Sequence, residues 1–188
     1  MCNRYRITAK QAEIAQRFGV IPPYPEDVTF PPPELFPKRE GWVVRKEQGR
    51  RTLDVMRWGV PLQGKPITNV RNLSSPFWRS MLKAPERRCI VPVTDFCEWS
   101  GEKGSKREHW FSVPSHEIFA FAGIWRPTEA GNAYAFLTCE PNPLVGPIHA
   151  KAMPVILHEE DYDRWLDGDV DEVCSLATPF PSQLMSVA

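Results

Sequence analysis

The stretch Arg88-Cys89-Ile90-Val91-Pro92-Val93 runs almost directly into Asp95-Phe96-Cys97-Glu98-Trp99. Both runs are short, strongly apolar or aromatic, and bounded by charged residues, which is typical of buried strands. Further segments of the same kind follow along the chain and predict more strands: His109 to Val113, Glu117 to Trp125, Ala133 to Thr138 and Met153 to Leu157. Strands therefore dominate the second half of the sequence.

The segments before and after this region add a hairpin and helices. Gly41 to Val44 and Thr52 to Trp58 predict two strands joined by the charged turn 46–50. Three helices are predicted: Thr8 to Phe18, with Thr8 as N-cap and Gly19 at the stop, Pro76 to Ala84, with Pro76 at its first position, and Glu159 to Leu166. Ile21 to Pro37 is rich in proline and predicts an extended surface loop.

Length and composition set the fold class. The 188 residues fit one domain with a real core, and 20 prolines argue against an all-helical protein. We expect an α+β fold: a strand-dominated single domain, in which a curled sheet or barrel-like core carries peripheral helices.

Charge and cysteine content exclude several classes of protein. The formal net charge is zero, so a nucleic-acid site would have to be a local basic patch. No apolar run approaches the roughly 20 residues of a membrane span, and no signal peptide is apparent. The chain has five widely spaced cysteines and no Cys-x-x-Cys pair, which predicts neither a zinc site nor a disulfide scaffold. We expect a cytoplasmic protein, monomeric, without membrane contact, metal or cofactor.

Cys2 is the first candidate for chemistry. Removal of Met1 would leave an N-terminal cysteine, which carries an α-amine and a thiol on adjacent carbons. The amine has an ordinary pKa of about 7.7–8.0, so part of it is neutral near pH 7 and able to attack an aldehyde. The thiol can then close a five-membered thiazolidine. The competing interpretation, a frayed terminus with an incidental cysteine, is at least as good on position alone.

Three further segments carry candidate residues. Asn69 and Arg71, followed by Arg79, could hold a polar group and phosphates, although ordinary surface residues give the same pattern. Glu98 lies in an apolar strand and is either outward-facing or an acid/base group of raised pKa. His149 precedes a buried-looking strand and is either a proton shuttle or a structural histidine.

Taken together, these segments resemble the SRAP family, whose members are abasic-site-processing proteins also named SOS-response-associated peptidases. The family pattern is matched in order by Met1-Cys2-Asn3-Arg4, Trp58-Gly59-Val60-Pro61, Asn69-Val70-Arg71, Arg79, Arg88-Cys89-Ile90-Val91-Pro92, Cys97-Glu98-Trp99, and His149 with Met153-Pro154-Val155-Ile156-Leu157. The resemblance covers about residues 1–166 and leaves the remainder as a C-terminal tail.

The sequence departs from the family pattern at three points. Asn3 replaces a glycine beside Cys2, and Cys97 replaces an aromatic residue before Glu98. The segment from His149 to Pro154 is one residue longer than the usual spacing, which affects the alignment of Lys151. None of these changes removes a group that the family chemistry requires.

The resemblance implies covalent capture of abasic sites in single-stranded DNA, as part of the response to DNA damage. It implies catalytic roles for Cys2, Asn69, Glu98 and His149, with lyase and autopeptidase activities as side reactions. It also implies DNA contacts. Phosphates would be bound by Arg4, Arg71 and Arg79, with Lys151 and Thr138 as weaker candidates, and stacking or a hydrophobic wedge would come from Trp58 and Trp99.

Two other functions remain open at the level of sequence. An N-terminal-nucleophile amidase or peptidase would also begin with Met-Cys, although no glutamine-site signature accompanies it here. A non-catalytic single-stranded DNA-binding module would leave Cys2 without a role.

Overall fold

The computed structural model describes residues 2–25, 31–102 and 104–188. The helices are α1 (Gln11–Phe18), α2 (Pro76–Leu82), α3 (Tyr162–Asp167) and α4 (Val170–Ser175), with 3-10 turns at Pro85–Arg87, Glu159–Asp161 and Ser182–Leu184. The strands are β1 (Tyr5–Arg6), β2 (Glu34–Leu35), β3 (Glu40–Glu47), β4 (Arg50–Trp58), β5 (Val60–Leu62), β6 (Lys65–Ile67), β7 (Asn69–Val70), β8 (Arg88–Val93), β9 (Asp95–Ser100), β10 (Arg107–Ser112), β11 (Phe119–Thr128), β12 (Gly131–Cys139), β13 (Met153–Pro154), β14 (Ile156–Leu157) and β15 (Ser186–Val187).

Five of these strands close on themselves into a barrel. The order is β12-β4-β3-β8-β11 and back to β12, with β12 and β4 as the parallel pair and the other neighbours antiparallel. Large aromatic side chains fill the interior, where Trp58 and Phe136 stack with ring centres 5.3 Å apart. The strand-dominated α+β fold with a barrel-like core is therefore confirmed.

A second sheet lies beside the barrel and positions the N-terminus. Its order is β15-β10-β9-β1-β2. Within it, β1 pairs antiparallel with β9, so that Tyr5 faces Phe96. The pairing extends by one more bond, because the Cys97 N–H donates to the Arg4 carbonyl at 3.0 Å. The first residues of the chain consequently lie along the strand that carries Glu98.

The junction between the second sheet and the barrel is close-packed. The Tyr5 hydroxyl, from the sheet, hydrogen-bonds the Tyr134 hydroxyl, from the barrel. Gly41 on β3 lies against this pair, and a Cβ at that position would come within 2.5 Å of the Tyr134 hydroxyl and within 2.7 Å of the Tyr5 hydroxyl. The two tyrosine hydroxyls can pack this closely against β3 because glycine has no side chain.

The predicted helix starts and ends were partly right. Gly19 ends α1 in the left-handed conformation at φ 65°, and Pro76 begins α2, as predicted. The prediction of Thr8 as N-cap was wrong, since α1 begins at Gln11 after Lys10. The Thr8 hydroxyl instead lies 3.4 Å from that of Thr94, which ties the segment before the helix to the end of β8.

The structure also differs from the expectations for one strand, for the C-terminal tail and for the proline-rich loop. The predicted strand Met153 to Leu157 divides into β13 and β14 because its halves pair with different barrel strands, β12 and β11. Residues after 166, expected as a tail, contain α4 and the strand β15, which pairs with β10. Part of the predicted loop Ile21 to Pro37 lies outside the described residues, and β2 occupies its later part.

Candidate active site

Cys2 is buried, with 1% of its surface exposed. Its backbone carbonyl accepts a hydrogen bond from the Asn69 side-chain amide at 2.8 Å, and its thiol lies 3.5 Å from the Arg4 carbonyl oxygen. These contacts hold the second residue of the chain in place, which argues against a frayed terminus. Met1, whose removal the chemistry requires, lies outside the described residues.

Asn69 reaches Cys2 because of the strand that carries it. β7 pairs in parallel with β12, so that Asn69 faces Phe136 in register. The Asn69 amide donates to both the Cys2 carbonyl and the Thr68 hydroxyl, each at 2.8 Å. Its side-chain oxygen is buried and has no hydrogen-bond partner among the described residues. Because a buried polar atom without a partner costs free energy, that oxygen is suited to receive a ligand's hydroxyl.

Glu98 faces inward, which decides between the two interpretations of the sequence. Only 2% of the residue is exposed, and its Oε1 has no hydrogen-bond partner within the described part of the chain. Burial disfavours the charged carboxylate and raises the pKa of Glu98 from 4.5 to about 7. Near neutral pH the carboxyl group is therefore present in both protonation states, as a general acid/base requires.

His149 approaches the same carboxyl group from a different loop. Its Nε2 lies 3.9 Å from Glu98 Oε2, while its Nδ1–H donates to the Ala152 carbonyl at 2.9 Å. That bond fixes the tautomer, so that the Nε2 lone pair is directed to the side where Glu98 lies. Burial lowers the pKa of His149, which keeps the ring neutral and able to accept a proton near pH 7.

The thiol of Cys2 is held in its protonated form. Burial, and then the nearby charge of Glu98, raises the pKa of the Cys2 thiol well above its ordinary value. Since only a thiolate is a strong nucleophile, the thiol is unreactive until a base removes its proton. The order of reactivity at this residue therefore favours the amine over the thiol.

Asn142 positions the loop of His149, and it was not among the residues predicted to belong to the site. The buried Asn142 side chain accepts from the Leu144 and Val145 amides at 3.1 and 3.0 Å and donates to the Phe180 carbonyl at 2.7 Å. The His149 amide in turn donates to the Val145 carbonyl at 2.8 Å. The signal that could have revealed Asn142 is its place at the start of a proline-containing turn, where asparagine typically bonds the following backbone.

The expected DNA-contact residues fall into two groups, and the first group is buried. Trp58 has no exposed surface: Tyr5 and Phe136 pack against its ring, and its indole N–H donates to the Thr68 carbonyl at 3.2 Å. The ring of Trp58 therefore has no exposed face on which a base could stack. Thr138 is 2% exposed and lies 3.4 Å from the Val70 carbonyl, so it supports β7 and makes no surface for a phosphate.

Arg4 is expected to bind phosphate, but its guanidinium is engaged within the protein. It pairs with Glu34 and, at 2.7 Å, with Glu108, and it lies over the rings of Trp110 at 4.9 Å and Trp99 at 5.8 Å. A phosphate contact would have to displace a carboxylate. Trp99 is half-buried beneath this cluster.

The second group is at least partly exposed. Arg71, two residues after Asn69, is exposed and pairs with the exposed Glu140. Arg79 on α2 is 3.5 Å from Asp171, and Lys151 is exposed two residues after His149. Exposed ion pairs of this kind contribute little free energy, so these cations can exchange a carboxylate for a phosphate at low cost.

The described residues contain no group of three or more His, Cys, Asp or Glu arranged to hold a metal ion. No helix among them combines the length and apolar character needed to cross a membrane.

The chain is similar to known proteins along its whole length. The family described as "SOS response associated peptidase (SRAP)" matches residues 1–188. The abasic site processing protein YoaM of Bacillus subtilis is 26% identical over 98% of this chain and 88% of its own length. A crystal structure from Bacteroides thetaiotaomicron superposes with a TM-score of 0.83 at 22% identity, covering 99% of this chain and 90% of that one. One from Bordetella bronchiseptica gives 0.82 at 21%, covering 100% and 98%.

Proposed function

Because the chain belongs to the SOS response associated peptidase (SRAP) family, we propose that it acts on abasic sites in single-stranded DNA and captures them covalently through Cys2. The relative YoaM is named as an abasic site processing protein, which supports the same substrate. The observation that carries the proposal is the convergence of Asn69, Glu98 and His149 on a tethered, buried Cys2.

Capture begins with the sugar. An abasic deoxyribose is mostly ring-closed, and its aldehyde forms when the hemiacetal hydroxyl loses a proton and the ring oxygen gains one. His149, with a neutral ring and an acceptor Nε2, takes the first proton. The side-chain oxygen of Asn69, which has no hydrogen-bond partner among the described residues, accepts a hydrogen bond from a hydroxyl of the opened sugar and orients it.

The amine of Cys2, freed by removal of Met1, then attacks C1′. The carbinolamine formed must lose water, which requires a proton on its hydroxyl. Glu98, with a pKa of about 7, donates that proton and becomes a carboxylate. The resulting Schiff base is still hydrolysable.

The carboxylate formed in this step prepares the last one. It removes the proton from the Cys2 thiol, which burial has kept protonated, and the sulfur adds to the imine carbon. The product is a thiazolidine, and the balance for amine, thiol and aldehyde is the release of one water. A Schiff base that fails to close can instead undergo β-elimination, which is the lyase side reaction.

DNA binding would rest on the exposed cations Arg71 and Lys151 and on the half-buried Arg79. Each would contact a phosphate without reading sequence. Arg4 would join them only after exchange of Glu108 or Glu34. Autolytic removal of Met1 would account for the peptidase name of the family, although ordinary aminopeptidase processing gives the same terminus.

The direct test mixes the protein with an abasic oligonucleotide and separates the products on a denaturing gel. We expect a retained adduct with the wild type and none with Cys2→Ala. The control is Cys174→Ala, which alters a partly exposed cysteine on α4 and should form the adduct normally. Adduct formation by Cys2→Ala at the wild-type rate would make another residue the nucleophile.

The same experiment separates the rival functions. A non-catalytic DNA-binding module would give complexes that sodium dodecyl sulfate disrupts. An N-terminal-nucleophile amidase would leave abasic DNA unmodified and release ammonia from a glutamine substrate.

A further inference from the structure

Four exposed cations at one end of the barrel lack a carboxylate within ion-pair distance in the part of the chain that the structure describes. They are Lys38, Arg57, Lys65 and Arg126. Other exposed arginines, such as Arg50 and Arg107, also lack an ion pair among the described residues, so these four cations are distinguished by lying close together. Cations left unpaired in a chain of zero net charge are available to an external anion.

These cations line two clefts that join. The first, of about 300 Å³, contains Lys38, Arg57 and Lys65. The second, of about 450 Å³, contains Arg126. Both include the backbone around Pro61 and the β11–β12 turn at Thr128 and Ala130, so they form one continuous depression. We call it the hairpin groove, because it lies between the β5–β6 hairpin and the β11–β12 hairpin.

The groove is net positive after its acids are counted. Glu129 lines the second cleft, and Glu40 faces Arg57 in the register of β3 and β4. Four cations against these two carboxylates leave an excess of two positive charges. The remaining lining is apolar or small, with Pro66 and Ala133 among its members, so the groove offers charge without a defined set of hydrogen-bonding groups. Such a surface suits a polyanion that is recognised by its phosphates.

The groove lies near the candidate active site along β12 and reaches α2 through Arg126. Ala133 in the groove is three residues from Phe136 on β12, and Phe136 is the register partner of Asn69. Three strand residues span about 10 Å, so the groove begins within one or two nucleotides of the captured sugar. On the other side, Arg126 lies over the ring of Phe77 at 5.3 Å, on the helix that carries Arg79.

We propose that the hairpin groove binds the phosphodiester backbone of the DNA strand that continues from the nucleotide held at Cys2. The inference rests on the proposed function for the identity of the strand. Lys38, Arg57, Lys65 and Arg126 would each neutralise phosphate charge and release counterions. The groove would thus add affinity on one side of the lesion only, which makes the protein sensitive to the length of DNA on that side.

The test measures reversible binding to oligonucleotides that carry a tetrahydrofuran abasic analogue, which cannot open to an aldehyde. The analogue is placed at the 5′ end or the 3′ end of probes of about 15 nucleotides, and in the middle of a probe of about 3 nucleotides. The variant is Lys38→Gln/Lys65→Gln, and the matched control is Lys10→Gln/Lys106→Gln, which neutralises two exposed lysines outside the groove.

For one of the two long probes, we expect the plot of log affinity against log salt to be less steep in the variant. The slope should differ by about 1.4, which is about 0.7 for each lost phosphate contact. The ratio of wild-type to variant affinity should then shrink about sevenfold between about 50 mM and about 200 mM salt. The other long probe and the short probe should show a smaller difference, and the control variant should match the wild type throughout.

Equal slopes for wild type and variant on both long probes would overturn the inference. A loss of affinity of equal size on all three probes would also overturn it. So would binding of inorganic phosphate to the wild type that leaves its DNA binding unchanged. Covalent capture is followed separately with a natural abasic site. Absence of capture together with a length-dependent difference in binding would count against the proposed function and not against the groove.

Discussion

Glu98 illustrates how a residue can serve chemistry at the expense of stability. The unfolded chain ionises this carboxyl near its ordinary pKa of 4.5, whereas the folded protein raises the pKa to about 7. Between these values the folded state binds more protons than the unfolded state, so stability falls as pH rises through this window. Above pH 7 the full penalty is present, about 3 kcal/mol at most.

Glu98→Gln should therefore stabilise the fold while impairing capture. The variant keeps the shape of the side chain but has no charge to bury. We expect it to be about 1–3 kcal/mol more stable than the wild type at pH 8 and nearly equal at pH 5, by urea unfolding. Capture should slow by about 10²–10⁴-fold, with a much smaller loss of DNA affinity, because a general acid/base is lost.

Glu117→Gln is the control, since it neutralises an exposed carboxyl that lies away from the site. Its stability relative to the wild type should not change between the two pH values. A pH-independent effect of Glu98→Gln, or equal losses of capture and binding, would make Glu98 a structural residue.

The sequence predicted the members of the site better than it predicted their surroundings. Cys2, Asn69, Glu98 and His149 are separated by up to 147 positions and were grouped by resemblance, and the structure brings them together. The burial of Trp58 and the carboxylate partners of Arg4 were not predictable, because both depend on which strands become neighbours.

At the scale of elements, the turn that carries His149 depends on a single side chain. Asn142→Ala would remove the acceptor of the Leu144 and Val145 amides and the donor to the Phe180 carbonyl. Because these groups are buried, we expect a loss of about 2–4 kcal/mol in the free energy of unfolding, together with slower capture at temperatures where the variant is folded.

Asn72→Ala is the matched control. Asn72 also accepts a backbone amide two residues on, that of Ser74 at 3.1 Å, but it is exposed and water can replace the bond. We expect a loss of about 1 kcal/mol or less. Losses of similar size for the two variants would show that the Asn142 bonds do not hold the loop.

The types of the longer strands and of the first two helices were predicted correctly from local patterns, and the pairing partners of the strands were not. Strong hydrophobic runs marked the barrel strands, and Gly19 and Pro76 marked the helix limits. The division of Met153 to Leu157 between two neighbours, and the pairing of Ser186–Val187 with β10, arise from contacts distant in sequence. A two-residue strand has no periodicity that a local pattern can reveal.

For the whole molecule, the junction between sheet and barrel is a tightly constrained point. Gly41→Ala would place a Cβ 2.5 Å from both the Leu35 side chain and the Tyr134 hydroxyl. We expect a loss of about 3 kcal/mol, because Leu35 and Tyr5 come from the second sheet and must shift against the barrel. Thermal or urea unfolding measures this directly.

Gly49→Ala is the comparison. Gly49 has φ 77° at the tip of the β3–β4 hairpin and nothing within 4 Å of an added Cβ. The cost there is only that of the left-handed conformation, about 1–2 kcal/mol. A smaller loss for Gly41→Ala than for Gly49→Ala would contradict the close packing of sheet on barrel.

The central claim is that residue 2 of the processed chain closes a ring on the abasic sugar. Intact-mass spectrometry of the protein–DNA adduct tests it most directly, with peptide mapping of the attachment site. We predict the mass of the chain without Met1 plus that of the oligonucleotide, less one water, with the link on Cys2 and no free thiol at that residue. An adduct on a chain that retains Met1, or one attached elsewhere, would contradict the account.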